Sequence, residues 1–146
     1  MMRKVSTAIV TGSAALSLLL AACSGGGDAK PVATNVPAGG AGAATLTLQD
    51  IKYDKTALTA TKGQPLTITM TNSGALEHDF TIDKIDAKAT LDGKDAKSDK
   101  AAVHASVKPK ASGKLEITPA SAGSFEFYCT VAGHKEAGMK GTLTVN

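Results

Sequence analysis

From residue 44 onward the chain consists of short runs in which apolar side chains recur at every second position, with no sustained three-to-four residue apolar repeat. Leu46 and Leu48, then Leu66, Ile68 and Met70, then Phe80 and Ile82 each place their bulk on one side of an extended backbone. The pattern resumes with Val103, Ser106 and Val107, with Leu115 and Ile117, with Phe125 and Phe127, and with Leu143 and Val145, while Gly63, Gly74, Gly113, Gly123 and Gly141 mark turns. Seven or eight half-buried strands in about 100 residues predict an all-β antiparallel sandwich. Ala87 to Ala102 departs from the pattern and is expected to hold a short helical turn or an excursion over the surface. Around it, Asp83, Asp86, Asp92, Asp95 and Asp99 alternate with Lys84, Lys88, Lys94, Lys97 and Lys100, the composition of a solvated, charge-balanced loop. Its Asp92-Gly93-Lys94-Asp95 piece lacks the regular acidic ladder and closing Glu of a calcium loop.

The first forty residues follow a different logic. Residues 1–22 have the form of an export signal: Arg3 and Lys4 as a basic start, an apolar stretch through Leu16, Leu18, Leu19 and Leu20, and small residues at the end. The stretch is short and interrupted by Ser and Thr, unlike a membrane span. It ends Leu20-Ala21-Ala22-Cys23, which resembles the lipobox of bacterial lipoproteins, and that resemblance implies cleavage before a lipidated Cys23. An ordinary signal peptide with Cys23 as an incidental thiol is the alternative. From residue 23 to 43, glycines and Pro31 and Pro37 with hardly any large apolar side chain make a flexible linker. Its root-mean-square reach of about 25 Å would keep a folded domain, residues 44–146, close to a membrane surface. Without Arg3 and Lys4 the 16 basic side chains fall by two against 13 acidic ones, so a nucleic-acid partner has no electrostatic support.

The chain has two cysteines, and a lipidated Cys23 leaves Cys129 without a disulfide partner. Cys129 opens a loop with the spacing Cys-x4-His-x4-Met, which continues to His134 and Met139. By period two, Cys129 faces inward with Phe125 and Phe127, and His78 faces inward with Phe80 and Ile82. Taken singly, each is an ordinary core residue: an inward His satisfied by hydrogen bonds, a small hydrophobic Cys, a gap-filling Met. Together, a thiolate, two imidazoles and a thioether form a set in which soft sulfur suits copper(I), imidazole suits both oxidation states and Met is a weak axial ligand. Zinc is the competing metal for such a site. His104 has no second donor nearby in sequence and is expected to be structural or exposed, and Met70 has core spacing with Leu66 and Ile68.

Around these residues the sequence resembles the cupredoxin family of small blue copper proteins, such as plastocyanin and azurin and especially the membrane-associated auracyanins. The resemblance rests on Phe127-Tyr128-Cys129, on Gly133-His134, on Ala137-Gly138-Met139-Lys140-Gly141-Thr142, and on the upstream segment from Asn72 to His78-Asp79-Phe80. It covers about residues 45 to 146 and implies a Greek-key sandwich with one type 1 copper held by His78, Cys129 and His134 and with Met139 axial. Asn72 and Asp79 are the polar residues best placed to organise the two ligand-bearing loops, and a contact between Asp79 and Thr130 is expected. Asp79 stands where plastocyanin often has Asn, and its charge is expected to lower the copper potential.

The functional expectation is a lipid-anchored, exported electron carrier, monomeric and not itself an enzyme, in the periplasm or extracytoplasmic space. It would serve redox proteins such as cytochromes or respiratory or photosynthetic membrane complexes. Val131, Ala132, Gly133, Ala137 and Gly138 would form a flat docking surface around His134, and Tyr128 a second electron route. Three histidines are too few for a multicopper oxidase or copper nitrite reductase, and one cysteine in the loop is too few for a binuclear copper site. A copper-delivery or copper-buffering lipoprotein is the rival, although such sites tend to be open and rich in Met or His.

Overall fold

The structure is a computed structural model and describes residues 41–146. The export signal over 1–22, Cys23 and all but the last residues of the 23–43 linker lie outside that range. Among the described residues there is no helix, and the chain runs through eleven strands. They are β1 (Gly42–Gln49), β2 (Lys52–Tyr53), β3 (Ala57–Ala60), β4 (Leu66–Asn72), β5 (His78–Ile82) and β6 (Ala87–Leu91). There follow β7 (Lys94–Asp95), β8 (Val103–Val107), β9 (Ser112–Pro119), β10 (Gly123–Tyr128) and β11 (Lys140–Val145). The seven alternating runs of the sequence are β1, β4, β5, β8, β9, β10 and β11. β1 begins two residues before the expected domain start, because Gly42 and Ala43 already pair with Leu66 and Thr67.

Two sheets form the sandwich, with orders β2-β1-β4-β9-β6-β7 and β3-β11-β10-β5-β8. Most neighbours are antiparallel, but β1 pairs with β4 and β3 with β11 in parallel. Leu46, Leu48, Leu66, Ile68, Leu115 and Ile117 of the first sheet close against Phe80, Ile82, Phe127 and Leu143 of the second, all essentially inaccessible to solvent. At the centre the Phe127 ring stacks on Phe80 at 4.7 Å between centroids and tilts against Tyr53 at 5.4 Å. Gly141 lies opposite Phe127 in the β10–β11 ladder, where a Cβ would collide with the Phe127 ring and with the Thr56 carbonyl.

The 87–102 segment holds no helical turn: Ala87–Leu91 is strand β6, and residues 92–100 run over the surface, exposed apart from Ala96. β6 pairs with β9 inside the first sheet, and β7 folds back on β6 through Asp92-Gly93, both at positive φ (50° and 78°). This is the type I′ geometry that Asp-Gly favours in two-residue hairpins. In β8 the inward residues are Val103, Ala105 and Val107, with Ser106 on the opposite face. β5 is buried on both faces, so Asp79 and Thr81 are as enclosed as Phe80.

Candidate metal centre

Two loops at one end of the sandwich carry the donor side chains. β4 ends at the buried Asn72, whose side-chain amide donates to the carbonyls of Leu76 and Val107 at 2.8 Å while its oxygen accepts from the Gly74 N–H at 2.9 Å. The chain therefore wraps one carboxamide between β4 and β5, and delivers His78 fully buried at the start of β5. The second loop joins β10 to β11 and is closed by its own backbone. Cys129 N–H donates to Met139 O (3.1 Å), Met139 N–H to His134 O (2.8 Å) and His134 N–H to Val131 O (3.0 Å). Gly133 and Gly138 adopt φ of 81° and 106°, which a side chain would resist, and let the loop double back.

These loops bring His78, Cys129 and His134 together, all buried, with their donor atoms within 4.8 Å of one another. Cys129 Sγ lies 3.9 Å from His78 Nδ1 and 3.8 Å from His134 Nδ1, and the two imidazole centroids are 5.1 Å apart. Metal–sulfur and metal–nitrogen bonds of about 2.3 and 2.0 Å meeting near 120° put sulfur and nitrogen about 3.7 Å apart. The observed sulfur–nitrogen spacings are close to that value, so the three side chains suit a single metal ion between them. Met139 is fully buried, and its backbone is tied to both Cys129 and His134. Burial pushes the Cys129 thiol above its ordinary value, and the Asp79 carboxylate acts in the same direction, so a metal must displace a proton to bind there.

Asp79 and Thr130 meet directly. The Thr130 N–H reaches both Asp79 carboxylate oxygens at 3.1 Å and the Thr130 hydroxyl donates to Oδ2 at 2.8 Å, which fixes the residue after Cys129 to the residue after His78. Thr81 Oγ1 donates to Asp79 Oδ1 (2.7 Å), the Tyr53 hydroxyl donates to the Asp79 carbonyl (2.6 Å), and Cys129 Sγ lies 3.6 Å from Oδ2. Burial drives Tyr53 strongly upward, so it stays a phenol and a donor. His104 is half-buried and joins this cluster: its Nδ1 lies 2.8 Å from Thr81 Oγ1. Thr81 has one hydroxyl proton and gives it to Asp79, so His104 must donate at Nδ1.

Asp50 is a site residue that sequence reasoning missed. It sits in the turn between β1 and β2, and its Oδ1 lies 3.3 Å from His78 Nε2. No periodicity or motif links two positions 28 residues apart, and only the folded chain shows it. On the outer side, His134 is 8% exposed and the loop around it presents Ala132, Gly133, Ala137 and Gly138 to solvent. Tyr128 donates to Asp83 at 2.6 Å, which raises its hydroxyl to about 12, and Lys135 lies over its ring at 3.9 Å.

Comparison with known proteins places the fold. Auracyanin-A of Chloroflexus aurantiacus is 30% identical over an alignment of 165 positions, covering 99% of this chain and 98% of that protein. The copper-resistant cuproprotein CopI of Rubrivivax gelatinosus is 32% identical over 103 residues, covering 65% of this chain and 60% of CopI. The match thus spans less than two thirds of CopI's length. Among solved structures, dithionite-reduced auracyanin from Roseiflexus castenholzii superposes with a TM-score of 0.58 at 22% identity, covering 74% of this chain and 99% of that one. Auracyanin A, described as a "blue" copper protein, superposes with a TM-score of 0.53 at 21% identity, covering 72% and 100%. The structural likenesses establish the shared fold. With the cupredoxin-like domain matched over residues 13–145, the chain belongs to the cupredoxin-like family.

Proposed function

We propose that the protein is a type 1 copper electron carrier. The observation that carries this reading is the convergence of a buried thiol and two buried imidazole nitrogens, all within 4.8 Å, in a chain related to auracyanin-A. One soft sulfur and two imidazoles, with the Met139 thioether as a weak fourth ligand, are a donor set for copper. When bound there, copper supplies a one-electron couple. The protein's part is to hold the donors in one arrangement for both oxidation states. The hydrogen bonds within the 129–139 loop and the Asp79–Thr130 junction perform that part, since they fix Cys129, His134 and His78 before any metal arrives. His134, near the surface among small side chains, offers a redox partner an imidazole edge to approach.

In this reading residues 1–22 export the chain, Cys23 anchors it by lipid, and the linker lets the domain reach redox proteins on the outer side of a bacterial membrane. Two acyl chains hold where one gives only marginal binding. The test is the visible spectrum of the full chain after adding copper(II), before and after a mild reductant, beside Cys129→Ser. An intense thiolate-to-copper band that bleaches on reduction and is missing in the variant is expected. A colourless copper complex would remove Cys129 from the ligand set and with it the carrier reading. The similarity to CopI favours copper handling as the second reading. Rapid transfer of copper to a metal-free acceptor, with slow electron exchange, would select it.

A further inference from the structure

His78 reaches the donor cluster with only one of its two ring nitrogens. Nδ1 faces Cys129 Sγ at 3.9 Å, and Nε2 faces outward to Asp50 Oδ1 at 3.3 Å. A carboxylate has lone pairs and no proton to give, so the nitrogen it meets must carry hydrogen. Nε2–H is thereby turned to Asp50, and Nδ1 is the ring nitrogen that points into the cluster.

Separate features of the chain serve this contact. Asp50 Oδ1 also accepts from the Ala75 N–H at 2.9 Å, so one oxygen holds both the loop before β5 and the ring at its end. Ser73 docks the same loop on the end of β1, through its N–H and its hydroxyl to Leu48 O at 2.9 and 3.3 Å. Gly74 lies at the crossing: a Cβ there would stand 2.7 Å from His78 Nε2 and closer still to Asp50 Oδ1. Only a residue without a side chain lets carboxylate and imidazole meet. The turn that presents Asp50 also holds Ile51 at φ 69°, a left-handed conformation that a β-branched residue avoids. Asp50 and Ile51 are the two residues between the paired Gln49 and Lys52, so this conformation belongs to the β1–β2 hairpin turn on which Asp50 stands.

The Asp50 side chain is 55% exposed and its partner 0%, a pairing in which solvent screening leaves little net stability. Its consequence is orientation. We propose that Asp50 is the positioning residue for His78: it fixes the Nε2–H tautomer and the ring angle, and it makes the imidazole a stronger donor toward the site. This deepens the copper reading and rests on it. Conserving an acceptor without the charge separates the two effects, because Asn at position 50 keeps an oxygen for Nε2–H and for Ala75 N–H.

The test uses the full chain, with Asp50→Ala and Asp50→Asn. In the metal-free protein, imidazole 15N NMR is expected to show His78 as the Nε2–H tautomer, with a slowly exchanging ring proton in the parent and in Asp50→Asn. Asp50→Ala is expected to lose the slow exchange and to populate both tautomers. In the copper-loaded protein, Asp50→Ala is expected to release copper to a chelator at least about tenfold faster than the parent. Asp50→Asn is expected to restore parental release while its reduction potential stays above the parent's. A parent ring in the Nδ1–H tautomer, or an Asp50→Ala protein with the parent's ring exchange and release rate, overturns the proposal. If copper gives the parent no thiolate band but Asp50→Ala still frees the ring, the copper reading fails and the Asp50 assignment stands.

Discussion

Replacing Asp79 with Asn removes one negative charge from beside the Cys129 thiol while keeping an oxygen for the surrounding donors. The Asp79 oxygens meet donors only: Thr81 Oγ1 at 2.7 Å, Thr130 Oγ1 at 2.8 Å and Thr130 N–H at 3.1 Å, with Cys129 Sγ at 3.6 Å. Two full charges at the thiol–carboxylate separation repel by about 4–5 kcal/mol at an effective dielectric of about 20. An electron added to a centre about 5–6 Å from the carboxylate meets about 3 kcal/mol on the same scale. At about 59 mV for each tenfold change of a one-electron equilibrium, that is a ceiling of about 130 mV. Hydrogen bonds to the carboxylate spread its charge, so a rise of roughly half the ceiling is expected in Asp79→Asn. Redox titration of the copper-loaded chain against mediators, read at the thiolate band, measures it. The metal-free variant provides a parallel assay, since its Cys129 should ionise at lower pH than the parent's, followed by thiolate absorbance. A potential equal to or below the parent's, with the band intact, would refute the electrostatic role of Asp79.

Phe127→Ala empties the volume between Phe80 and Tyr53 and should cost about 3–5 kcal/mol, seen as a lowered denaturation midpoint. Metal-free stability should fall in alkali: burial raises the folded Cys129 and Tyr53 above their unfolded values, so their contribution is complete below the unfolded thiol value of 9.0. It is lost as pH rises through the raised folded values, and urea melts at neutral and alkaline pH that coincide would contradict this. Gly93→Ala should destabilise by about 1 kcal/mol or more through its φ of 78°, with open space around the new methyl, and should leave the copper spectrum unchanged.

Alternation revealed β4, β9 and β11 because each has one face in the core and one toward solvent, as Leu66, Ile68 and Met70 show. It concealed the polar half of β5, since Asp79 and Thr81 are buried by the Thr130 loop and by His104 and not by apolar packing. β2 and β7 have two residues each, too few for any period. Asp92-Gly93 was a legible hairpin signal, outweighed by the even charge on either side. The parallel partners β1–β4 and β3–β11 depend on contacts that no local pattern encodes. Cys129, His134 and Met139 were readable as candidate donors from their spacing, the inward facing of Cys129 and the family resemblance taken together. Asp50 was not, because an Asp in a turn reads as a turn residue until its neighbour across the fold is known.

Three of the proposed donors, Cys129, His134 and Met139, lie within one short stretch of sequence, whereas His78 is 51 residues from Cys129. Order of assembly follows from this. A chain emerging unfolded can close the small ring from Cys129 to Met139 at little entropic expense, while joining His78 requires a long loop closure that the sandwich provides. On that ordering, the 129–139 segment would be the part able to meet copper before the sheets close. Any such binding by the unfolded chain subtracts from the stabilisation the metal gives the native state. The difference between copper's affinity for an isolated 129–139 peptide and for the whole protein then measures what closing the sandwich around His78 contributes.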